Sequence, residues 1–234
     1  MNEAQILILT AASIAFTHAV LGPDHYLVFT AMGKARNGTL GRTLRVTLAC
    51  GLGHVLSSVL IGLVGLLLGA QLASLVFIEG IRGNFAAWAL LAFGLVYLAW
   101  GLKQAGRSHQ HAHVHRHGDI VHTHEHDHRT DHAHVHDTNK RGITPWILFI
   151  VFVLGPCEAL IPLLMYPASQ HDTWLVLTVA IVFGTVTLLT MMLGVTVTML
   201  GLERLRIPGL RRYAHAIAGA SIVVCGGAIG FLGL

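Results

Sequence analysis

The sequence is poor in charged residues and in cysteine. Only 11% of its 234 residues are Lys, Arg, Asp or Glu, whereas a soluble domain carries about a quarter. The three cysteines, Cys50, Cys157 and Cys225, form no CxxC pair, so we expect no structural disulfide. A GxxxxGK[ST] sequence is also absent, so direct use of ATP would need another subunit. This composition excludes an ordinary water-soluble enzyme, a protein that binds nucleic acid and a disulfide-rich secreted module.

Long apolar runs dominate the chain instead, because hydrophobic residues make up 54% of it. A helix needs about 20 apolar residues to cross a lipid bilayer. Six segments meet this length: 6–30, 46–69, 84–102, 143–166, 174–202 and 213–234. The first lacks the basic start and the cleavage pattern of a signal peptide, so we expect it to be retained. The sequence therefore predicts an all-α, polytopic protein of the lipid bilayer with six transmembrane helices.

The basic residues are distributed unequally among the predicted loops. Of the 15 Lys and Arg residues, all except Arg82 lie in or beside the loops after segments one, three and five. Cytoplasmic loops are the ones enriched in Lys and Arg. We therefore expect a multi-pass protein of the cell membrane with both termini outside and the long middle loop in the cytoplasm.

Two related sequences occur in the first and fourth segments. LGPDHYLVF begins at Leu21 and LGPCEALIP begins at Leu154, and a weaker pair matches GHV at 53–55 with GTV at 184–186. If each half has three helices, the second half enters the membrane from the opposite side. This pattern predicts a 3+3 inverted repeat, which is common in transporters. Chance recurrence of LGP in a chain rich in Leu and Gly is the alternative.

The middle loop differs in composition from the rest of the chain. Twelve histidines lie between His109 and His136, mostly in an H-x-H rhythm without apolar periodicity. We expect a disordered loop that captures metal ions, and the alternatives are a pH-responsive charge switch and a dispensable insertion. The chain then divides into a first three-helix half at 1–103, the disordered His-rich cytoplasmic loop at 104–142 and a second half at 143–234.

A few ionisable residues interrupt the apolar segments. They are His18, Asp24, His25, His54 and Glu158. Such groups are costly in lipid, so they usually face the interior of the bundle and mark an ion or substrate path. A purely structural hydrogen-bonded cluster is the alternative. Cys157, next to Glu158, is either a soft metal ligand or a small packing residue.

Gly22 and Pro23 predict a break in the first helix. Proline lacks a backbone donor and disfavours helix at the residue before it. On an unbroken helix His18 and His25 would stand about 10 Å apart. The break can bring both imidazoles to one ion, with Asp24 as an oxygen ligand or an orienting group. Imidazole and carboxylate together suit nickel, cobalt, iron or zinc.

The block HAVLGPDH at 18–25, with LGH at 52–54 and the His-rich loop, resembles the nickel/cobalt transporter families. It is most similar to the six-helix branch of nickel/cobalt efflux and urease-accessory-like membrane proteins. Those families carry H-x4-D-H in the first helix, and the spacing here is H-x5-D-H. The resemblance implies a metal site of His18, Asp24, His25 and His54, with Glu158 at the position that matches His25.

The resemblance also implies a substrate and partners. The transported substrate would be Ni²⁺ or Co²⁺, with no organic cofactor. A cytoplasmic metallochaperone and a second copy of the chain, as a homo-oligomer, are the expected protein partners.

The main functional hypothesis is thus an alternating-access transporter of divalent transition metals, not an enzyme, whose direction the sequence leaves open. A membrane thiol–disulfide electron carrier is the second hypothesis. Related inverted designs place one cysteine in each half, but the repeat mate of Cys157 is Asp24. A metal-binding accessory or sensor that moves no metal is the third.

Overall fold

The described part of the chain forms α-helices, two 3-10 turns and a short β-hairpin. The computed structural model describes residues 2–67, 69, 71–107, 111–117, 120–126, 143–155, 157, 159–204 and 210–232. The elements are α1 (Glu3–Leu21), a 3-10 turn (Pro23–His25), α2 (Leu27–Ala35), α3 (Leu40–Leu67), α4 (Leu72–Arg107), β1 (His111–His117), β2 (Ile120–His126), α5 (Ile143–Leu154), α6 (Leu160–Ser169), α7 (Thr173–Arg204), a second 3-10 turn (Leu210–Tyr213) and α8 (Ala214–Leu232).

Five of the described helices are long and apolar enough to cross a membrane, namely α1, α3, α4, α7 and α8. Large apolar side chains on these helices point away from the protein, and Val96 and Phe231 are each more than two-thirds exposed. An exposed apolar surface of this extent suits contact with lipid rather than water. The prediction of a polytopic helical membrane protein is confirmed.

Two of the predicted transmembrane segments are interrupted. The first, 6–30, is divided into α1 and α2 by the turn at Pro23–His25, as the Gly22-Pro23 sequence predicts. The fourth, 143–166, is divided into α5 and α6, each of which is shorter than a membrane span. Both interruptions follow an LGP sequence.

Helix α4 is longer than the sequence predicted. It begins at Leu72 rather than at residue 84, so Glu79 and Arg82 lie inside a helix and not in an external loop. The sequence analysis placed Arg82 outside the third apolar segment and did not consider Glu79. In the structure Glu79 and Arg82 form an ion pair, which allows the apolar span to continue through them.

A β-hairpin occupies part of the middle loop. Strands β1 and β2 pair antiparallel, with His113 opposite His124 and His115 opposite His122. The H-x-H rhythm has the two-residue period of a strand, and β-branched residues such as Val114 and Val121 favour extended backbone. The expectation of a disordered loop at 104–142 stays a prediction. Residues 108–110, 118–119 and 127–142 lie outside the described part.

Small residues allow the helices to approach closely. In α1, Ala11, Ala15 and Ala19 are completely buried at four-residue intervals, on the helix that packs against α7. Helices α4 and α8 form the most extensive contact. There a Cβ atom built on Gly219 would lie 2.4 Å from the backbone nitrogen of Leu98. The two backbones are thus too close for any side chain.

This packing leads to a stability prediction. We expect Gly219→Ala to lower the free energy of unfolding by about 1–3 kcal/mol, because backbone cannot move aside as a flexible side chain can. Gly227→Ala is the matched control, since no atom lies within 4 Å of a Cβ at that position of the same helix. Denaturant unfolding of the purified proteins in detergent measures both. Equal stability of the two variants would contradict the packing at Gly219.

Candidate functional site

The break in the first segment is formed by local interactions. Helix α1 ends at Leu21, where the Gly22 N–H donates to the His18 carbonyl at 2.9 Å. Pro23 then starts the 3-10 turn that carries Asp24 and His25. A Cβ atom on Gly22 would clash with His25 Nδ1, so a larger residue at this position would displace the imidazole.

The break brings three histidines together. The ring centroid of His25 lies 4.9 Å from that of His18 and 5.4 Å from that of His54, which projects from α3. One nitrogen of each ring lies within 4.8 Å of the corresponding nitrogens of the other two. His25 and His54 are only 3% exposed. The structure therefore gathers His18, His25 and His54 into one cluster inside the bundle, which we call the histidine cluster.

Hydrogen bonds determine which nitrogen faces the centre of the cluster. His25 Nδ1 lies 3.2 Å from the Gly22 carbonyl and 3.1 Å from Asp24 Oδ1. His54 Nδ1 lies 3.2 Å from the Phe152 carbonyl. A carbonyl oxygen only accepts hydrogen bonds, so Nδ1 carries the proton in both rings. The Nε2 atoms keep their lone pairs, and those of all three histidines are buried with no hydrogen-bond partner among the described residues.

The histidine cluster lines a cavity of about 510 Å³. The cavity wall includes Asp24, the α4 residues Gly80, Gly83 and Asn84, and Gly155 after α5. Such a volume is within the range of ligand-binding cavities. A cavity lined by both polar and apolar groups thus lies between the two interrupted segments and α4.

The break in the fourth segment is held by a different set of groups. Arg82 forms an ion pair with Glu79 and donates hydrogen bonds to the carbonyls of Val153, at 2.7 Å, and of Gly155, at 3.4 Å. Glu79 Oε2 accepts a hydrogen bond of 3.2 Å from the Cys157 backbone N–H. The Arg82 cation therefore donates hydrogen bonds to the free carbonyls at the end of α5, and the Glu79 anion binds a free N–H before the start of α6. Helix dipoles favour this placement of the two charges.

Two serines of α3 complete this network. Ser57 Oγ accepts a hydrogen bond of 2.8 Å from Arg82, and Ser58 Oγ donates one of 3.3 Å to Glu79. Glu79 is completely buried. Both charges therefore have several partners within the protein, as buried charges require.

The remaining predicted site residues differ in their distance from the histidine cluster. Asp24 lines the same cavity and contacts His25 at Nδ1, in the manner of a group that orients the ring. Cys157 is completely buried, but it lies beside Glu79 and is not part of the cavity wall. Glu158 lies outside the described residues.

Sequence reasoning missed Glu79 and Arg82. Their three-residue spacing was the available signal, because residues at i and i+3 on a helix can pair and neutralise each other. A charged pair with this spacing is compatible with a membrane-spanning helix when both side chains face the protein.

The buried ion pair generates a second stability prediction. We expect Arg82→Leu to destabilise the protein by about 3–5 kcal/mol, because it leaves Glu79 buried and uncompensated. The double variant Glu79→Leu/Arg82→Leu should recover part of this loss. Arg45→Leu, at an exposed position of α3, is the control. Unfolding midpoints in detergent rank the stabilities of these variants. A double variant that loses as much stability as the two single variants lose together would contradict the prediction.

Comparison with known proteins assigns the chain to a family. The family described as the cytochrome c biogenesis protein transmembrane region matches residues 26–228. It is a family of thiol–disulfide electron-transfer proteins. No curated protein and no solved structure gives a significant match.

This match corrects the functional part of the sequence analysis. The resemblance to nickel/cobalt transporters was wrong, and so were transport of divalent metal as the function and Ni²⁺ or Co²⁺ as the transported substrate. The HAVLGPDH block misled because it covers only eight residues, whereas the family match extends over most of the chain. The protein belongs to the cytochrome c biogenesis transmembrane-region family.

Proposed function

We propose that the protein is a membrane electron carrier of the thiol–disulfide type and that Cys157 is its reactive thiol. The observation that carries this proposal is the family match over residues 26–228. Among the three cysteines, Cys157 alone lies at a helix break inside the bundle, whereas Cys50 and Cys225 lie within the continuous helices α3 and α8.

A single thiol can relay electrons if its partners supply the other sulfurs. The Cys157 thiolate attacks a disulfide of an acceptor protein, which forms a mixed disulfide and releases one acceptor thiolate. A donor dithiol then attacks the Cys157 sulfur and releases the second acceptor thiolate. The donor's second thiol finally attacks this new mixed disulfide. The acceptor gains two electrons, the donor loses two, and Cys157 returns to the thiolate.

This exchange requires the break between α5 and α6 to open, because Cys157 is completely buried. The residues around it are held by hydrogen bonds from Arg82 and to Glu79 rather than by a continuous helical ladder. Movement at an interrupted helix breaks fewer main-chain hydrogen bonds than the opening of a continuous helix does. We propose that separation of α6 from the Glu79–Arg82 pair gives a partner sulfur access to Cys157.

The broken segments also support an architectural proposal. We propose a 3+3 inverted repeat in which α1–α2 and α5–α6 are counterparts, with both termini outside and the middle loop in the cytoplasm. Breaks after an LGP sequence in both segments support the repeat. The counterparts carry different chemistry, since Asp24 and the histidine cluster belong to one break and Cys157 to the other.

The histidine cluster favours a second candidate function, the binding of a resident divalent transition-metal ion. Imidazole nitrogen is a good ligand for borderline ions such as zinc and copper. The hydrogen bonds from Nδ1 of His25 and His54 to carbonyl oxygens are typical of ligating histidines. Three buried Nε2 atoms without partners support the proposal. Nitrogens that share a zinc ion lie about 3.3 Å apart, so binding would draw the rings closer together.

The electron-transfer proposal predicts a specific effect of Cys157→Ala. Sealed proteoliposomes containing the protein are loaded with Ellman's reagent and supplied with external glutathione. Wild type should release thionitrobenzoate inside, and Cys157→Ala should release none above protein-free vesicles, because a methyl group forms no disulfide. Cys50→Ala and Cys225→Ala are matched controls and should retain transfer. Transfer by Cys157→Ala at the wild-type rate would refute the proposal.

The metal-binding proposal predicts a change in stoichiometry. Equilibrium dialysis against Zn²⁺ should give one tightly bound ion fewer per chain for His25→Ala than for wild type. His171→Ala, at an exposed position, is the control and should match wild type. The His-rich loop is present in all three proteins, so its contribution cancels. Equal zinc content in all three would exclude the histidine cluster as a metal site.

A further inference from the structure

A second cavity, also of about 510 Å³, lies at one end of the bundle. The end of α2 and the starts of α3, α5 and α8 enclose it. Polar side chains in its wall come from Arg36, Asn37, Arg42, Thr43 and His215. We call this space the arginine cavity. It is separate from the cavity of the histidine cluster. The Phe29 and Phe152 rings, tilted at 51° with centroids 4.7 Å apart, contribute one ring to each wall.

The charge of the arginine cavity is of one sign. Its wall contains two guanidinium groups and a histidine, and no Asp or Glu is among the residues that line it. Tyr97 helps to fix two of these groups, because its hydroxyl lies 2.8 Å from His215 Nδ1 and accepts a hydrogen bond from Arg36. Arg42 is exposed. Guanidinium groups in such an arrangement favour a phosphate group.

The rest of the wall is apolar. Phe29, Met32, Val46 and Leu148 also line it. An inorganic anion makes no use of such a surface, whereas a phosphate attached to hydrocarbon buries its apolar part there. The cavity therefore suits an amphiphile with an anionic phosphate head.

Aromatic residues indicate that the cavity lies at the level of lipid headgroups. Trp146 follows the lining residue Pro145, and the Trp100 ring lies 4.8 Å from that of His215. Tyr213 is two residues from His215. All three aromatic side chains are more than two-fifths exposed, and Trp and Tyr concentrate where a membrane meets water.

We propose that the arginine cavity binds the phosphate headgroup of an anionic membrane phospholipid. Arg36 and Arg42 hold the phosphate, and the apolar wall contacts the glycerol and the first part of an acyl chain. The volume accommodates a headgroup and its neighbouring atoms, with the remaining chain in the bilayer. The bound lipid would bridge α2 to α3, α5 and α8, on the far side of the Phe29–Phe152 pair from the histidine cluster.

Retention of lipid by the full-length protein tests this proposal. The protein is purified in detergent, incubated with phosphatidylglycerol or phosphatidylcholine, and examined by native mass spectrometry. Wild type should retain phosphatidylglycerol in preference to phosphatidylcholine. Arg42→Gln should lower the affinity for phosphatidylglycerol about tenfold, because it removes a charge-assisted hydrogen bond. Arg45→Gln is the matched control on the same helix, since Arg45 does not line the cavity, and it should bind as wild type does.

A competition with inorganic phosphate identifies the source of the phosphate group. Excess inorganic phosphate should leave the lipid bound, because it lacks the apolar part. Displacement by inorganic phosphate would overturn the proposal in favour of a free-anion site. Equal retention by Arg42→Gln and Arg45→Gln, or equal retention of the two lipids, would overturn it as well. Arg42 is exposed, so its replacement leaves the fold intact.

Discussion

A broken helix inside a membrane protein exposes backbone groups that lipid cannot satisfy, and this constraint organises the structure. Every free N–H and C=O at membrane depth must find a partner within the protein or in an internal cavity. The two breaks meet this requirement differently. At the first, the Gly22 carbonyl accepts from His25, a residue of the turn itself. At the second, Arg82 and Glu79 of another helix bond to Val153, Gly155 and Cys157.

The second break joins the two groups of chemically active residues. The last turn of α5 carries the Phe152 carbonyl, which orients His54, and the Val153 carbonyl, which Arg82 holds. Any movement that displaces the end of α5 when Cys157 is exposed would therefore also disturb His54 of the histidine cluster. The proposed thiol and the proposed metal ligands thus both depend on the position of the end of α5, although they lie in different places.

The sequence predicted the structure correctly where a few neighbouring residues determine it. Proline after glycine predicted the first break, and the cost of burying ionisable groups predicted that His18, His25 and His54 would face the interior. The rest depended on partners far apart in the chain. Glu79 needs Arg82 and the Cys157 N–H before a carboxylate is tolerated in α4. The hairpin depends on pairing between strands, and the short HAVLGPDH block was too limited a pattern to identify the family.

The central claim is that the second break carries a redox-active thiol. Membranes containing the protein can be quenched with acid, alkylated and digested, and the state of each cysteine can then be read by mass spectrometry. We predict that a fraction of Cys157 is linked by a disulfide to a peptide of another protein, while Cys50 and Cys225 are alkylated as free thiols. Recovery of Cys157 as a free thiol in every sample, with or without oxidant, would contradict the account.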